Sequence, residues 1–262
     1  MPTPLQRAYR FCLGDGSLTI AVFILIFFVF VLYPMVEVGV IRRFWLDLAF
    51  AAFLALGAVF VFEPRPMVRL FLLCLAGAVA VSLAEHFFAA EWLVPLRSVL
   101  TMLACGVLGA LLMARVMRDG RINLNRIMGA IGSYLLIGIV FTQAYRLLAE
   151  FIVGAFAIGG VPADFAAISY KLSYYSFITL TSTGYGDITP VHPYARSLAT
   201  MEALAGNLFL TVLVARLVGL EIDWRHEQRD LRRAVERNDA GDDAGDETAD
   251  GAGDGGNAAR LR

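Results

Sequence analysis

The sequence predicts an all-α membrane protein with six transmembrane helices and a re-entrant half-helix between the fifth and the sixth. Its 262 residues are 58% hydrophobic, above the roughly 45–50% of a soluble domain, and the mean hydropathy is +0.67. Six apolar stretches approach the roughly 20 residues that a helix needs to cross the hydrocarbon core. One polar, glycine-containing stretch, "TLTSTGYGDITP" from Thr179 to Pro190, separates the last two.

The apolar stretches place the six helices in order along the chain. They are predicted at Leu18–Val38, Phe44–Phe62, Val68–Phe88, Leu96–Met117, Ile127–Leu148 and Tyr194–Leu220. Arg7 and Arg10 precede the first, as in a signal peptide, but its apolar run is too long and no small-residue cleavage pattern follows promptly. The first stretch is therefore interpreted as an uncleaved helix.

The distribution of arginine predicts that both termini are cytoplasmic. In this orientation the inside segments before the polar stretch contain most of the flanking arginines, namely Arg7, Arg10, Arg65, Arg69, Arg115, Arg118, Arg121 and Arg126. The outside loops before the polar stretch hold only Arg42, Arg43 and Arg97. Because positive charge is favoured on the cytoplasmic side, we expect a multi-pass protein of the cell membrane.

The segment Lys171–Thr181 is apolar but too short to cross the membrane, so it suits a half-helix that enters and stops. "STGYGD" would then return toward the surface as an extended strand. Irregular backbone is tolerated at membrane depth where it lines a water- or ion-filled passage. Gly184 and Gly186 permit left-handed backbone angles, and alternation between the two halves of Ramachandran space points successive carbonyls to one side.

A row of carbonyl oxygens on one strand cannot surround an ion, and the chain contains a single such stretch. Several copies must therefore converge on an axis, where four carbonyls per layer can replace the hydration shell of a cation. The alternative is a surface glycine turn, which leaves the half-length helix and the hydroxyl-rich residues before the glycines unexplained.

Residues "YYSFITLTSTGYGDITP" resemble the pore helix and selectivity filter of the potassium channel superfamily. The resemblance covers roughly residues 127–220, as outer helix, pore helix, filter and inner helix. It implies a homotetramer in the lipid bilayer around a central pore selective for K⁺. K⁺ is then the permeant ion, and no cofactor is expected.

On this interpretation the chain divides into five segments. They are a cytoplasmic N-terminal segment (1–17), a four-helix transmembrane domain (18–120), a pore domain (121–220), a cytoplasmic helix (221–237) and an acidic tail (238–262). The tail is predicted to be disordered because Asp, Gly and Ala dominate it and little apolar surface can be buried. For the charged helix, a solvated continuation of the sixth span is favoured over a coiled coil, since about two heptads are too few.

The resemblance assigns roles position by position. K⁺ sites and the outer lip of the filter are implied at Ser182, Thr183, Gly184, Tyr185 and Gly186. Support of the filter is implied for Asp187, Tyr174, Tyr175 and Glu202. Ser182 replaces the more usual Thr, and Thr183 the more usual Val, which implies a looser innermost site and an extra hydroxyl that needs a partner behind the filter. A weakly selective cation channel is therefore the alternative within this class.

The sixth span is interpreted as the inner helix that lines the cavity. Gly206 lies in its middle, where glycine costs roughly 1 kcal/mol relative to alanine. The resemblance implies a gating hinge there, and close helix packing is the alternative. Asn207 is placed near the aqueous cavity. Phe209, Leu213 and Leu217 recur at helical spacing and fit either an apolar constriction or plain packing between helices.

The first four spans do not resemble a voltage sensor. A sensor carries several basic residues in one span, whereas the fourth span has Arg97 at one end and Arg115 and Arg118 at the other. Voltage dependence is therefore expected to be weak or absent. Four titratable residues gather near the predicted outer ends: Glu37, Glu85, His86 and Glu91. They fit a proton or cation sensor, and plain interfacial residues are the favoured interpretation.

Residues that would indicate other functions are missing from the sequence. Cys12, Cys74 and Cys105 are scattered, and there is no HExxH, paired CxxC, phosphate-binding glycine loop or GxSxG motif. With a net charge of −1, no enzyme and no nucleic-acid role are predicted. A transporter would need paired inverted halves with broken helices. A membrane sensor or scaffold with a vestigial pore is the remaining alternative, and the intact "GYGD" argues against it.

Overall fold

The computed structural model describes residues 17–40, 43–60, 66–88, 92–117 and 124–250. This part of the chain is mostly helical, which confirms the all-α membrane class. Within it, five helices are long and apolar enough to cross a membrane: Thr19–Val36, Met67–Phe88, Leu93–Val116, Arg126–Phe151 and Pro193–Arg216. The second predicted span corresponds to the helix Arg43–Phe60, whose apolar part, Trp45–Ala55, is shorter than the others.

The helices before the polar stretch follow the predicted order. They are α1 (Ser17–Phe27), a π-helical segment (Phe28–Leu32), α2 (Tyr33–Glu37), α3 (Arg43–Phe60), α4 (Pro66–Phe88), α5 (Leu93–Val116) and α6 (Leu124–Phe151). The π-helical segment was not predicted. It ends two residues before Pro34, whose missing N–H and bulky ring interrupt the regular hydrogen bonds of the preceding turn. The first predicted span is therefore one continuous helix that contains a π-helical segment.

A small antiparallel sheet follows α6, although no strand was predicted there. Its strands β1 (Phe156–Ile158), β2 (Val161–Pro162) and β3 (Ile188–Pro190) lie in the order β2-β1-β3. Gly159 and Gly160, with φ of +56° and +84°, form the turn between β1 and β2. Since β3 lies directly after the polar stretch, its pairing with β1 joins the two sides of that stretch.

Three helices complete the described chain: α7 (Phe165–Ile168), α8 (Leu172–Leu180) and α9 (Pro193–Asp250). The nine residues of α8 lie within Lys171–Thr181, the segment predicted to be a half-helix, and its entry into the membrane stays a prediction. α9 continues through the predicted cytoplasmic helix and into the tail, so the disorder predicted from 238 onward differs from the helix seen up to Asp250. Adding turns to an existing helix requires no new nucleus, and the Ala, Glu and Arg residues there favour helix. Residues 1–16 and 251–262 lie outside the described residues.

The predicted boundary at residues 120 and 121 does not divide two compact units. α5 and α6, on either side of it, make the most extensive helix–helix contact in the structure. One compact unit contains the helices up to α8 together with α9 as far as Val214, and the other contains α9 from Ala215 onward. In the first unit, residues from several helices form one apolar core, including Leu54, Phe71, Cys105, Leu136 and Leu180.

Arg97 was assigned to an outer loop, but it lies in the second turn of α5 and is only 6% exposed. Its Nε donates a hydrogen bond of 3.0 Å to Glu85 on α4. Its Nη1 donates to the carboxylate of Asp47 on α3. A buried guanidinium needs such partners because an isolated charge is costly away from water. Arg97 therefore joins three helices, which an apolar-stretch analysis could not reveal.

The four titratable residues near the predicted outer ends have different surroundings. Glu85 is paired with Arg97 and is not a plain interfacial residue. His86 is exposed, with its ring 5.4 Å from that of Phe87. Glu91 and the side chain of Glu37 lie outside the described residues. The sensor interpretation of this group stays a prediction.

We expect Arg97→Met to lower the stability of the protein by about 3 kcal/mol, because Asp47 and Glu85 would lose their shared cation. Thermal unfolding in detergent micelles measures the effect. Arg69→Met, at an exposed position of α4, is the control and should unfold near the wild-type temperature. Equal stability of the two variants would contradict a structural role for the Arg97 cluster.

Candidate functional site

The site is built around an exposed loop, Thr181–Asp187, that connects α8 to β3; we call it the polar loop. All seven of its residues are exposed in the protomer, and Tyr185 is 72% exposed. The end of the loop that follows α8, which we call its inner end, caps the C-terminus of that helix. The N–H groups of Thr183 and Gly184 both donate to the Ile178 carbonyl, at 2.8 and 3.1 Å. The half-helix thus fixes where the polar loop begins.

The backbone of the polar loop alternates between right- and left-handed angles. φ is +56° at Ser182, +54° at Gly184 and +81° at Gly186, and it is not positive at Thr183 or Tyr185. Ser182 is the only non-glycine with positive φ among the described residues, a conformation that a side chain disfavours. Such alternation turns successive carbonyls to the same side. None of the hydrogen bonds between described residues ends on the carbonyl oxygens of 182–186.

The outer end of the polar loop is held by the small sheet. The Gly159 N–H donates to the Asp187 carbonyl at 2.9 Å, and Ile158 is the register partner of Ile188. Desolvation, followed by the neighbouring Asp187 side chain, raises the pKa of Tyr174. Tyr174 and Asp187 therefore lie near each other at the outer end of the loop, and their support of a filter stays a prediction.

The extra hydroxyl of Thr183 has the partner that the sequence requires. Thr183 Oγ1 lies 2.9 Å from Thr181 Oγ1. Thr181 uses its own hydrogen to donate to the Phe177 carbonyl at 2.8 Å. A hydroxyl carries one hydrogen, so Thr183 is the donor of the pair. This chain of two hydroxyls ties the polar loop to α8.

Ser182 is contacted from the inner-helix side. The Asn207 Nδ2 amide on α9 donates to Ser182 Oγ at 3.1 Å. The sequence analysis placed Asn207 near a cavity and did not pair it with Ser182, because the two are 25 positions apart. The contact therefore holds the Ser182 hydroxyl against α9.

Glu202 on α9 is fully buried and joins three helices. It accepts hydrogen bonds of 2.5 Å from Tyr145 on α6 and from Ser176 on α8. Ser176 Oγ is also 2.7 Å from the Gly138 carbonyl. Tyr145 and Ser176 were missed by the sequence analysis, although a polar residue inside an apolar span is a signal that could have found them.

Tyr175 has a different role from its neighbour. It is 4% exposed, and its ring packs 5.0 Å from that of Tyr145 and 5.4 Å from that of Phe156. It therefore anchors α8 against α6 and β1 within the protomer, and its support of a filter stays a prediction. Consecutive helical residues point about 100° apart, so the two tyrosines have different surroundings.

Gly206 lies against the end of α8. A Cβ atom at this position would be 2.1 Å from the Leu180 carbonyl oxygen, which also accepts a hydrogen bond from the Tyr134 hydroxyl at 3.2 Å. Of the two interpretations of this glycine, close helix packing is the one that the geometry supports. Even the smallest side chain would displace the base of the polar loop.

The predicted constriction residues are only partly described. Phe209 is half-buried, with its ring 5.5 Å from that of Tyr134 in the same protomer, which favours packing. Leu213 is half-buried, and the side chain of Leu217 lies outside the described residues.

The comparisons with known proteins concern the same part of the chain. A family described as "Ion channel" matches residues 151–220, which contain the polar loop. Protein LctB of Bacillus caldotenax is 32% identical over 127 residues, covering 46% of this chain and 89% of that protein. The chain belongs to the ion channels of the potassium channel superfamily. No solved structure matches the channel.

We expect Gly206→Ala to destabilise the channel by about 1–3 kcal/mol, because the new methyl group overpacks the contact with Leu180. Gly219→Ala is the matched control, since nothing lies within 4 Å of a Cβ there. It should stabilise the helix by up to about 1 kcal/mol. Thermal unfolding of both variants in micelles measures the difference, and a stabilised Gly206→Ala variant would rule out the tight contact.

Proposed function

We propose that the channel is a homotetramer that conducts K⁺ passively across the cell membrane, with the polar loop as its selectivity filter. The observation that carries this proposal is the alternating backbone of residues 182–186, whose carbonyls accept no hydrogen bond from the described residues. Unpaired carbonyls at membrane depth need a partner. A dehydrated cation is a partner that suits a row of oxygens.

The proposed ion sites follow the backbone of the filter. Carbonyl rings replace the water around a permeating K⁺ ion, and the carbonyls of Ser182, Thr183, Gly184 and Tyr185 would form successive layers. Gly186 would form the outer lip, where Asp187 and Tyr174 brace it. One protomer supplies one oxygen to each layer, so the sites would be complete only in an assembly.

Exposure on α9 and along the polar loop supports an assembly of several copies. Its apolar residues facing outward from the protomer include Met201, Leu204, Leu208, Leu210, Val212 and Val214. Such residues can face lipid or another protein surface, but the exposed filter cannot face lipid. The side of the protomer that carries the filter would therefore face an axis shared with the other copies.

A weakly selective cation channel is a second candidate, and one contact favours it. Ser182 lacks the methyl group of threonine, and its Oγ already accepts a hydrogen bond from Asn207. That contact leaves the hydroxyl oxygen fewer lone pairs for an ion at the innermost site. Comparing K⁺ and Na⁺ reversal potentials distinguishes the two candidates.

We propose cytoplasmic termini and weak or absent voltage dependence for the channel. The arginine distribution supports the orientation. Arg97, the one arginine buried in α5, bonds to Asp47 and Glu85. A charge held by two carboxylates cannot move through the membrane field without breaking both pairs.

Gly186→Ala should reduce K⁺ flux into liposomes about tenfold or more. A side chain disfavours the left-handed angle by about 1–2 kcal/mol in each copy, and about 1.4 kcal/mol is equivalent to tenfold. Gly160→Ala is the matched control, because Gly160 also has a left-handed φ (+84°) and open space around it. Purified protein and a fluorescent K⁺ indicator provide the measurement.

The control should conduct as the wild type does, since Gly160 lies in the β1–β2 turn. An equal loss in both variants would contradict the filter assignment. The mass of the assembly in micelles should be four times the 28.6 kDa of the chain, and a conducting monomer would exclude the proposed pore.

Conductance in planar bilayers should change by a small factor between −100 and +100 mV (about 2.3 kcal/mol per charge for each 100 mV). The reason is that no span carries a series of basic residues. Current recorded against voltage in symmetric K⁺ provides the measurement. A steep, sigmoidal curve would contradict the prediction, and block of the current by replacing K⁺ with an impermeant cation serves as the control.

A further inference from the structure

A cavity of about 60 Å³, lined by apolar and polar side chains, lies in the compact unit that contains α1 to α8. Its lining includes Tyr33, Asp47, Arg97, Gln143, Arg146 and Ser173. Two guanidinium groups and one carboxylate make the charge of this lining positive. The cavity is separate from the polar loop, and neither the ion-channel match nor the proposed filter gives it a role.

Arg146 is the unusual member of the lining. It lies on α6, is 3% exposed, and its Nη1 donates to the Tyr33 hydroxyl at 3.5 Å. Its Nε and Nη2 have no hydrogen-bond partner among the described residues. A buried cation without a counter-charge is strongly destabilising. These two donors are therefore open to a partner other than the described residues.

The neighbouring carboxylates do not supply that partner. Asp47 and Glu85 both bond to Arg97. Glu150, one turn further along α6, makes no hydrogen bond to Arg146. The two arginines of the cavity thus differ: Arg97 bonds to two carboxylates, and Arg146 bonds to none among the described residues.

The two unpartnered donors define the chemistry of a ligand. Nε–H and Nη2–H lie on one edge of the guanidinium and point in parallel, which is the geometry that holds both oxygens of a carboxylate. One water needs about 10–15 Å³ of such a cavity, so about 60 Å³ admits a group of a few heavy atoms. A one- or two-carbon carboxylate matches both the edge and the volume.

We infer that this cavity binds a small carboxylate, held side-on by Nε and Nη2 of Arg146. The site contacts α8 through Ser173, in its first turn, which lines the cavity. Tyr145 is not part of the lining, but it precedes Arg146 on α6 and bonds to Glu202 on α9. Occupancy would therefore shift the position of α8 and the conductance of the channel. This effect on conductance rests on the proposed function, whereas binding does not.

Binding is tested by the thermal unfolding of the full-length channel in micelles, at constant ionic strength, as chloride is replaced by acetate or formate. Acetamide, the neutral analogue of acetate, and inorganic phosphate are the comparison ligands. Acetate and formate should raise the unfolding temperature saturably, and acetamide should not. The absence of saturable stabilisation of the wild type by either carboxylate would overturn the inference, since water alone would then fill the cavity.

Arg146→Lys keeps the charge but removes the parallel pair of donors. It should weaken acetate binding about tenfold, the equivalent of one lost charge-assisted hydrogen bond. Arg69→Lys, at an exposed position, is the matched control and should bind as the wild type does. Unchanged binding by Arg146→Lys would also overturn the inference, as would saturation by phosphate in place of the carboxylates. If Arg146→Lys does not fold, the wild-type comparison of acetate with acetamide still decides.

Conductance separates this inference from the proposed function. In liposomes, acetate should change the K⁺ flux of the wild type and of Arg69→Lys by the same factor, and it should leave that of Arg146→Lys unchanged. Loss of all K⁺ flux with intact acetate binding would refute the proposed function alone. Intact flux without acetate binding would refute the carboxylate site alone.

Discussion

The backbone of the polar loop is fixed at its two ends, and the carbonyl oxygens between them have no hydrogen-bond donor among the described residues. At the inner end, Ile178 on α8 accepts two of its N–H groups, and at the outer end Gly159 donates to Asp187. Between these points the carbonyls accept no hydrogen bond from the described residues. The surrounding helices thus serve as a frame, because the distance between the end of α8 and β1 determines how far the loop is stretched.

A second level of support lies behind that frame. Glu202 brings α6, α8 and α9 together through two hydroxyl donors, and Gly206 lets α9 approach the Leu180 carbonyl. Buried polar groups of this kind are costly unless they are fully bonded. Because these groups are costly when unpaired, they specify how the helices align. A helix displaced by one turn would lose its hydrogen-bond partners. The same reasoning applies to Arg97 on α5, which bonds to carboxylates on α3 and α4 and so holds the three helices together.

Much of the fold could be predicted because a helix that crosses a membrane must be both long and apolar. The half-helix could be predicted from its length, and the exposed, alternating loop from Gly184 and Gly186. The strands β1 to β3 could not, because three-residue strands leave too little periodicity. The partners of Arg97, Ser182 and Glu202 are also invisible in the sequence: each pair joins residues that are far apart along the chain. The positive φ of Ser182 was not expected either, since that residue has a side chain.

The paired hydroxyls of Thr181 and Thr183 make the two positions dependent on each other. A valine at 183 would remove the hydrogen that Thr181 accepts, while Thr181 would still be committed to Phe177. An apolar residue at 181 would in turn leave the hydroxyl of Thr183 without an acceptor. Replacing either threonine alone removes the hydrogen bond between the two hydroxyls. Evolutionary substitutions at positions 181 and 183 should therefore be correlated, and the two threonines should be kept or lost together.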